Sequence, residues 1–185
     1  MKNVVFMLAL ATVFGSSILY GQIEKGSWEM SVAGTFGSYS LSTNGNDGES
    51  TSLVSIAARP GYYVIDGLSI EPELYWTAIE DELPIFNIAA NVSYTFRVAE
   101  SGVSPFLLAG YGVGNGIPIF QRLIFRSSDE MDVSVLNVGG GVKFFVTTSV
   151  ALRAEYRFQQ FNQDEDSFET TANWHTILLG FSVFL

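Results

Sequence analysis

The sequence predicts an all-β chain, an eight-stranded antiparallel up-and-down transmembrane β-barrel. Three observations predict it. Hydrophobic residues make up 48% of the 185 positions, yet charged residues make up only 15%, against roughly one quarter in soluble domains. No internal run approaches the ~20 apolar residues of a membrane helix, which excludes a helix bundle. From Gly26 onward, apolar residues alternate with polar or small ones at period two, the signature of strands.

The first segment is for targeting. Residues 1–22 read MKNVVFMLALATVFGSSILYGQ, with Lys2 ahead of an apolar run from Val4 to Phe14 and small residues at Gly15, Ser16 and Ser17. That order predicts a cleaved secretory signal. The expected organisation is therefore a signal peptide at 1–22 and one barrel domain at 23–185.

The strands follow in order. Trp28, Met30, Val32 and Phe36 alternate with Glu29, Ser31, Ala33 and Thr35. The Val54–Val64 stretch is noisier but compatible. Leu68, Ile70, Pro72, Leu74 and Trp76 alternate with Ser69, Glu71, Glu73 and Tyr75. Phe86 to Phe96 repeats the pattern, Pro105–Val113 fits loosely, and Leu136 to Phe144 alternates around Asn137, Gly139, Gly141 and Lys143. The clearest case sets Val150, Leu152, Ala154, Tyr156 and Phe158 against Ala151, Arg153, Glu155, Arg157 and Gln159; no helix face collects those sets. Ile177, Leu179, Phe181, Val183 and Leu185 share the last face.

Connectors supply the topology. Asp66-Gly67, Ala99–Gly102 and Thr147–Ser149 are tight, whereas Ser42–Thr51, Glu80–Pro84, Asn115–Asp132 and Asn162–Thr171 are longer and polar. Short and long links alternate as in membrane barrels with tight turns at one end and larger loops at the other. The polar faces carry Ala57, Ala89, Ser93, Gly139 and Gly141 beside charges, as a narrow lumen filled by long side chains requires. The apolar faces are therefore expected outside. Trp28, Tyr62, Trp76, Tyr94 and Trp174 near strand ends suit interfacial girdles.

The run LNVGGGVKFFVTTSVALRAEYRF (Leu136–Phe158) resembles the penultimate hairpin of the outer-membrane β-barrel family, the small OmpA/OmpX-type barrels. SPFLLAGYGVG (Ser104–Gly114) and LSIEPELYW (Leu68–Trp76) are similar to other strands of that family. The resemblance covers the mature chain and is to the barrel without a peptidoglycan-binding domain. The family's last strand usually ends in Phe, whereas here Phe184 is penultimate and Leu185 last. The resemblance implies the outer membrane of a Gram-negative-type bacterium. It implies outer-membrane lipid, lipopolysaccharide and the barrel-assembly machinery as partners. It is weak for activity, because the family hosts adhesins, resistance factors, enzymes and inert barrels.

Parity sends Glu29, Arg59, Glu71, Glu73, Arg97, Lys143, Arg153, Glu155 and Arg157 to the lumen. Opposite signs nearly balance, which predicts an ion-pair network, since buried charges persist only when paired. Two readings of it stand: a packed plug that conducts nothing, or the lining of a narrow pore. The long links are acidic, with Asp47, Glu49, Glu80, Asp81, Glu82, Asp129, Glu130, Asp132, Asp164, Glu165, Asp166 and Glu169. They are expected to form a solvated rim without the spacing of a calcium loop. Between acidic flanks, IPIFQRLIFR (Ile117–Arg126) is apolar with two cations. Ile117, Ile119, Phe120, Arg122, Phe125 and Arg126 are thus the candidate partner-binding segment, since exposed apolar patches mark interaction sites.

Other chemistry is excluded or unsupported. A net charge of −10 opposes general nucleic-acid binding. The absence of cysteine excludes disulfides, a thiolate nucleophile, a zinc–thiolate site and a lipoprotein anchor. His175, the only histidine, is followed by Thr176 and Ile177 and has no serine beside it for a hydrolase triad; it is expected on the lipid-facing side near the upper rim. Gly139-Gly140-Gly141 lies mid-strand with no following helix, so it is no phosphate loop. No catalytic residue, metal or cofactor is expected. The expected function is structural or surface-interaction, of an adhesion or resistance type. The alternatives are a narrow porin-like channel for small solutes and a soluble lipocalin-like lipid-binding barrel.

Overall fold

The computed structural model describes residues 23–40, 50–79, 84–98, 102–115, 133–165 and 168–185. Within them run eight strands: β1 (Trp28–Ser40), β2 (Ser50–Ile65), β3 (Leu68–Ile79), β4 (Ile85–Thr95), β5 (Val103–Gly114), β6 (Val133–Phe145), β7 (Val150–Glu165) and β8 (Phe168–Phe184). Each pairs antiparallel with the next, and β1 pairs with β8 to close the barrel. The expected signal segment, Ile117–Arg126 and most acidic link residues lie outside the described residues.

Register explains the tilt. Following paired residues from Trp28 leads through Tyr62, Ile70, Val92, Ala109, Val138, Phe158 and His175. Continuing the β8–β1 register from His175 returns to β1 at Ser38, ten residues above Trp28. With eight strands, that stagger tilts each strand by roughly 40° and leaves a lumen that side chains alone can fill.

Alternation is clearest along β4. Along β4 every inward residue from Ile85 to Thr95 is buried and every outward one exposed. The outward set is apolar on all strands, from Trp28, Tyr62 and Tyr94 near the tight turns to Phe36, Val54, Phe86 and Val113 near the other end. These residues form the lipid-facing belt. Trp28 packs on Tyr62 and Tyr94 on Phe96, with ring centroids 5.1 and 4.9 Å apart.

Local chemistry sets the turns and breaks. Gly67 takes φ 80° in the Asp66-Gly67 turn, and its Cα lies so close to the Thr95 carbonyl that a side chain would not fit. Continuing the β2–β3 register places Pro60 opposite Pro72, and no pairs form between Ala58↔Leu74 and Tyr62↔Ile70. Neither proline has an N–H to donate.

Three expectations need correction. The Asn162–Thr171 link is no loop: β7 and β8 stay paired from Asn162↔Thr171 to Glu165↔Phe168, so polar residues continue the hairpin beyond the apolar belt. Trp174 is no girdle residue. It sits on the inward face, half-buried against Val133, Val135, Phe161 and Ala172 and against Leu53 and Ile85. Arg97 is not in the lumen. The Phe96 N–H still donates to the Pro105 carbonyl, but proline returns no bond and β4 has already ended at Thr95. Arg97 turns out instead, donating to the Ile23 carbonyl at 2.8 Å and lying 3.7 Å from Glu24.

Candidate functional site: the lumen

Inward side chains form layers. At the tight-turn end, Ile23, Tyr63, Phe145, Ala151 and Phe184 make an apolar floor. Ile23 precedes β1 and is held beneath the barrel by bonds from Gly67 N–H and the Arg97 guanidinium to its carbonyl. At the opposite end, Val133, Val135, Phe161 and Ala172, with Leu53, Ile85 and Trp174, make an apolar ceiling.

Between them lies the charge cluster, and eight of the nine predicted residues belong to it. Arg59, Lys143, Arg153 and Arg157 face Glu29, Glu71, Glu73 and Glu155, all 0–2% exposed. Four cations against four carboxylates leave the layer neutral. Arg153 is the hub: it lies 3.0 Å from Glu155 and 3.4 Å from both Glu29 and Glu71. Its guanidinium also lies 4.2 Å from the centre of the Phe106 ring, a cation–π contact. Arg157 clamps Glu73 at 2.6 Å and gives Glu155 Oε1 two bonds, from Nε and Nη2. Arg59 donates to Glu155 at 2.7 Å and lies 3.0 Å from Glu73, there without hydrogen-bond geometry.

Lys143 occupies the floor of this layer. Its Nζ donates to Glu29 at 2.6 Å, to the Tyr63 hydroxyl at 3.1 Å and to Thr95 at 3.2 Å. Tyr63 in turn donates to Glu29 at 2.7 Å. Ser69 donates to Glu71 at 2.8 Å. Glu29, Glu71 and Glu155 thus accept several hydrogen bonds each, while Glu73 accepts from Arg157 and pairs with Arg59 by charge alone, which is how the layer holds its charges out of water.

Above the charges runs a ladder of amides. Gln159 donates to Asn137 at 3.0 Å, Asn137 to Asn91 at 3.3 Å and Asn91 to the Glu71 carbonyl at 3.4 Å. On β5, between Asn91 and Asn137, stands Gly110, where a Cβ would overlap the Asn91 amide. Sequence reading singled out the charged residues and passed over Tyr63, Thr95, Asn91, Asn137 and Gln159. The signal that finds them is parity: each shares an inward face with a charged residue, or with the small residues that make room for one.

His175 faces outward, with Tyr156 Oη 2.6 Å from its Nδ1 and Phe158 packed beside it. Among the described residues no group of three or more His, Cys, Asp or Glu side chains is placed to hold a metal ion. Charges inside and apolar side chains outside are the reverse of a soluble lipid-binding barrel, whose cavity is apolar.

Residues 6–183 match the family model described as outer membrane protein beta-barrel domain, and the chain belongs to that family. It is an outer-membrane protein. No curated protein sequence matches it. Among solved structures it is similar to Neisserial surface protein A, at 21% identity and TM-score 0.59, over 87% of this chain and 97% of that one. It is also similar to the N-terminal β-barrel domain of OprF from Pseudomonas aeruginosa, at 16% identity and TM-score 0.54, over 87% of this chain and 98% of that one. At these identities the likeness is one of fold.

Proposed function

We propose that this protein is a non-conducting, non-enzymatic barrel that serves as a rigid platform in the outer membrane, acting through what it displays outside, in a structural or surface-interaction role. The observation that carries this reading is the neutral charge cluster, all eight members buried between an apolar floor and an apolar ceiling. A water-filled pore keeps its charged lining wet; here the cations and carboxylates solvate one another. The outward position of His175, bonded to Tyr156, supports a non-catalytic reading of the one histidine. In this reading the acidic links and Ile117–Arg126 are the parts that meet partners, with lipopolysaccharide and lipid around the belt and the barrel-assembly machinery during insertion. The similar Neisserial protein is named for the cell surface, which fits that reading.

The test is single-channel recording of the refolded protein in a planar bilayer, with insertion verified independently. Silence is the expected result. Discrete, reproducible openings would overturn the plug and establish the channel reading.

A further inference from the structure

The seam that closes the barrel is paired over only part of its length. Six pairs join β1 and β8, from Glu29↔Phe184 to Gly34↔Leu179. Above them β1 continues to Ser40, paired throughout with β2, and β8 continues down from Phe168, paired throughout with β7. Both strands are therefore long enough to go on pairing with each other. Yet among the described residues Thr35–Ser40 have no partner on β8. Neither stretch contains proline, so both edges carry full sets of N–H and C=O groups.

Three details show that the seam changes character here. Just below the break the strands are in close contact: a Cβ at Gly180 would overlap the Val32 carbonyl and crowd Ala33. Just above it, Thr35 points inward but is only half-buried, whereas its partner across β2, Ser55, is fully buried. Thr176, on the opposite edge, is 5% exposed with its hydroxyl unpartnered among the described residues. The break also lies within the lipid-facing belt, because Phe36 and Ile177 beside it are 73% and 64% exposed. In hydrocarbon nothing else can bond a free N–H or C=O, so these edges require a partner that water cannot supply.

We propose that the upper β1–β8 seam is a lateral binding site for an uncharged membrane amphiphile, one whose polar end carries hydroxyl or amide groups and whose tail is alkyl. The edges offer donors and acceptors in equal measure, which matches hydroxyls and amides. The cation in register with Thr176, Arg157, already donates to Glu73 and Glu155 through Nε, Nη1 and Nη2. The tail passes inward between the two edges, from Phe36 and Ile177 on the outer face toward the ceiling. The ceiling residue Trp174, on the β8 edge, is the natural reporter of entry.

The experiment uses refolded full chain with Trp174 as sole tryptophan (Trp28→Phe, Trp76→Phe), beside a sole-Trp76 control on the outer face. Each is placed in micelles of dodecyl maltoside brominated on its alkyl chain, a quencher that acts on contact. Phe36→Cys with Ile177→Cys, both lipid-facing, adds a disulfide that locks the seam in a chain otherwise free of cysteine. Trp174 is expected to be quenched, and oxidation of the locked variant should cut that quenching by about twofold or more, with reduction restoring it. Absence of Trp174 quenching while Trp76 is quenched would overturn the proposal. So would quenching that persists unchanged in the locked form, since the chain would then reach Trp174 by another route. Equal quenching by a brominated alkyl phosphate would overturn the uncharged head. A dimer that disappears on locking would show instead that the edges pair with a second copy.

Discussion

The lower and upper halves of the lumen solve the same problem differently. Below, four cations and four carboxylates fill the barrel and solvate one another, with Arg59 Nε and Nη2, Glu73 Oε2 and the Ser31, Ser93 and Ser182 hydroxyls left without hydrogen-bond partners among the described residues. Above, the lumen holds neutral amides and hydroxyls under an apolar ceiling, several of them unpartnered among the described residues, including both amide atoms of Asn87, Gln159 Oε1 and Thr176 Oγ1. The wall differs between the halves as well: β1 and β8 are paired and in close contact from Glu29↔Phe184 to Gly34↔Leu179, and unpaired above among the described residues. Charges buried in a narrow barrel tolerate no slack, because each displaced partner leaves an ion unpaired in low dielectric. Neutral groups tolerate an opening and the exchange it permits.

The strongest way to break this contrast is to remove the hub. Arg153→Ala leaves Glu29, Glu71 and Glu155 short of positive charge, and is expected to cost about 3–5 kcal/mol, read as a lowered urea midpoint of the protein in vesicles. A loss no greater than that of an upper-lumen substitution would refute the division into a rigid lower and a permissive upper half. Gly180→Val tests the paired seam: its side chain collides with the Val32 carbonyl and should cost about 1–3 kcal/mol by the same measurement.

Replacing a pair sharpens the comparison from the other side. Glu29→Leu with Lys143→Met removes both charges of the floor and is expected to change stability by less than either single change, because no ion is stranded. A double-mutant cycle on the urea midpoints checks it. The smallest effect is expected at Thr176→Val, which removes an unpartnered buried hydroxyl; stability should stay within about 0.5 kcal/mol of the parent or rise. A large loss there would mean that the hydroxyl has a partner in the membrane-embedded protein, which the seam site supplies.

Much of this molecule is legible in one dimension because a strand has a period of two. Val150 to Gln159 sorts into a lipid face and a lumen face without any coordinates, and the near balance of five cations and four acids follows from counting one parity class. Arg97 escaped that logic since parity holds only while the strand lasts, and the end of β4 depends on which residue of β5 lies opposite: Pro105, with no N–H to give. Trp174 escaped it because an aromatic near a strand end suits either face. The length of the β7–β8 hairpin escaped it because paired polar strands beyond the membrane look like loops to any hydrophobicity pattern.

Alternation, composition and connector lengths by themselves determined the fold class, the strand number and the inside-out distribution of charge, all of which are properties of single strands. Only the tertiary structure decided which carboxylate meets which cation, that Ile23 lies beneath the barrel, and that the β1–β8 seam stops at Gly34↔Leu179. Those facts depend on the stagger accumulated over eight strands. The last pairing of a closed barrel is set by the sum of all the others, and no single strand carries that sum.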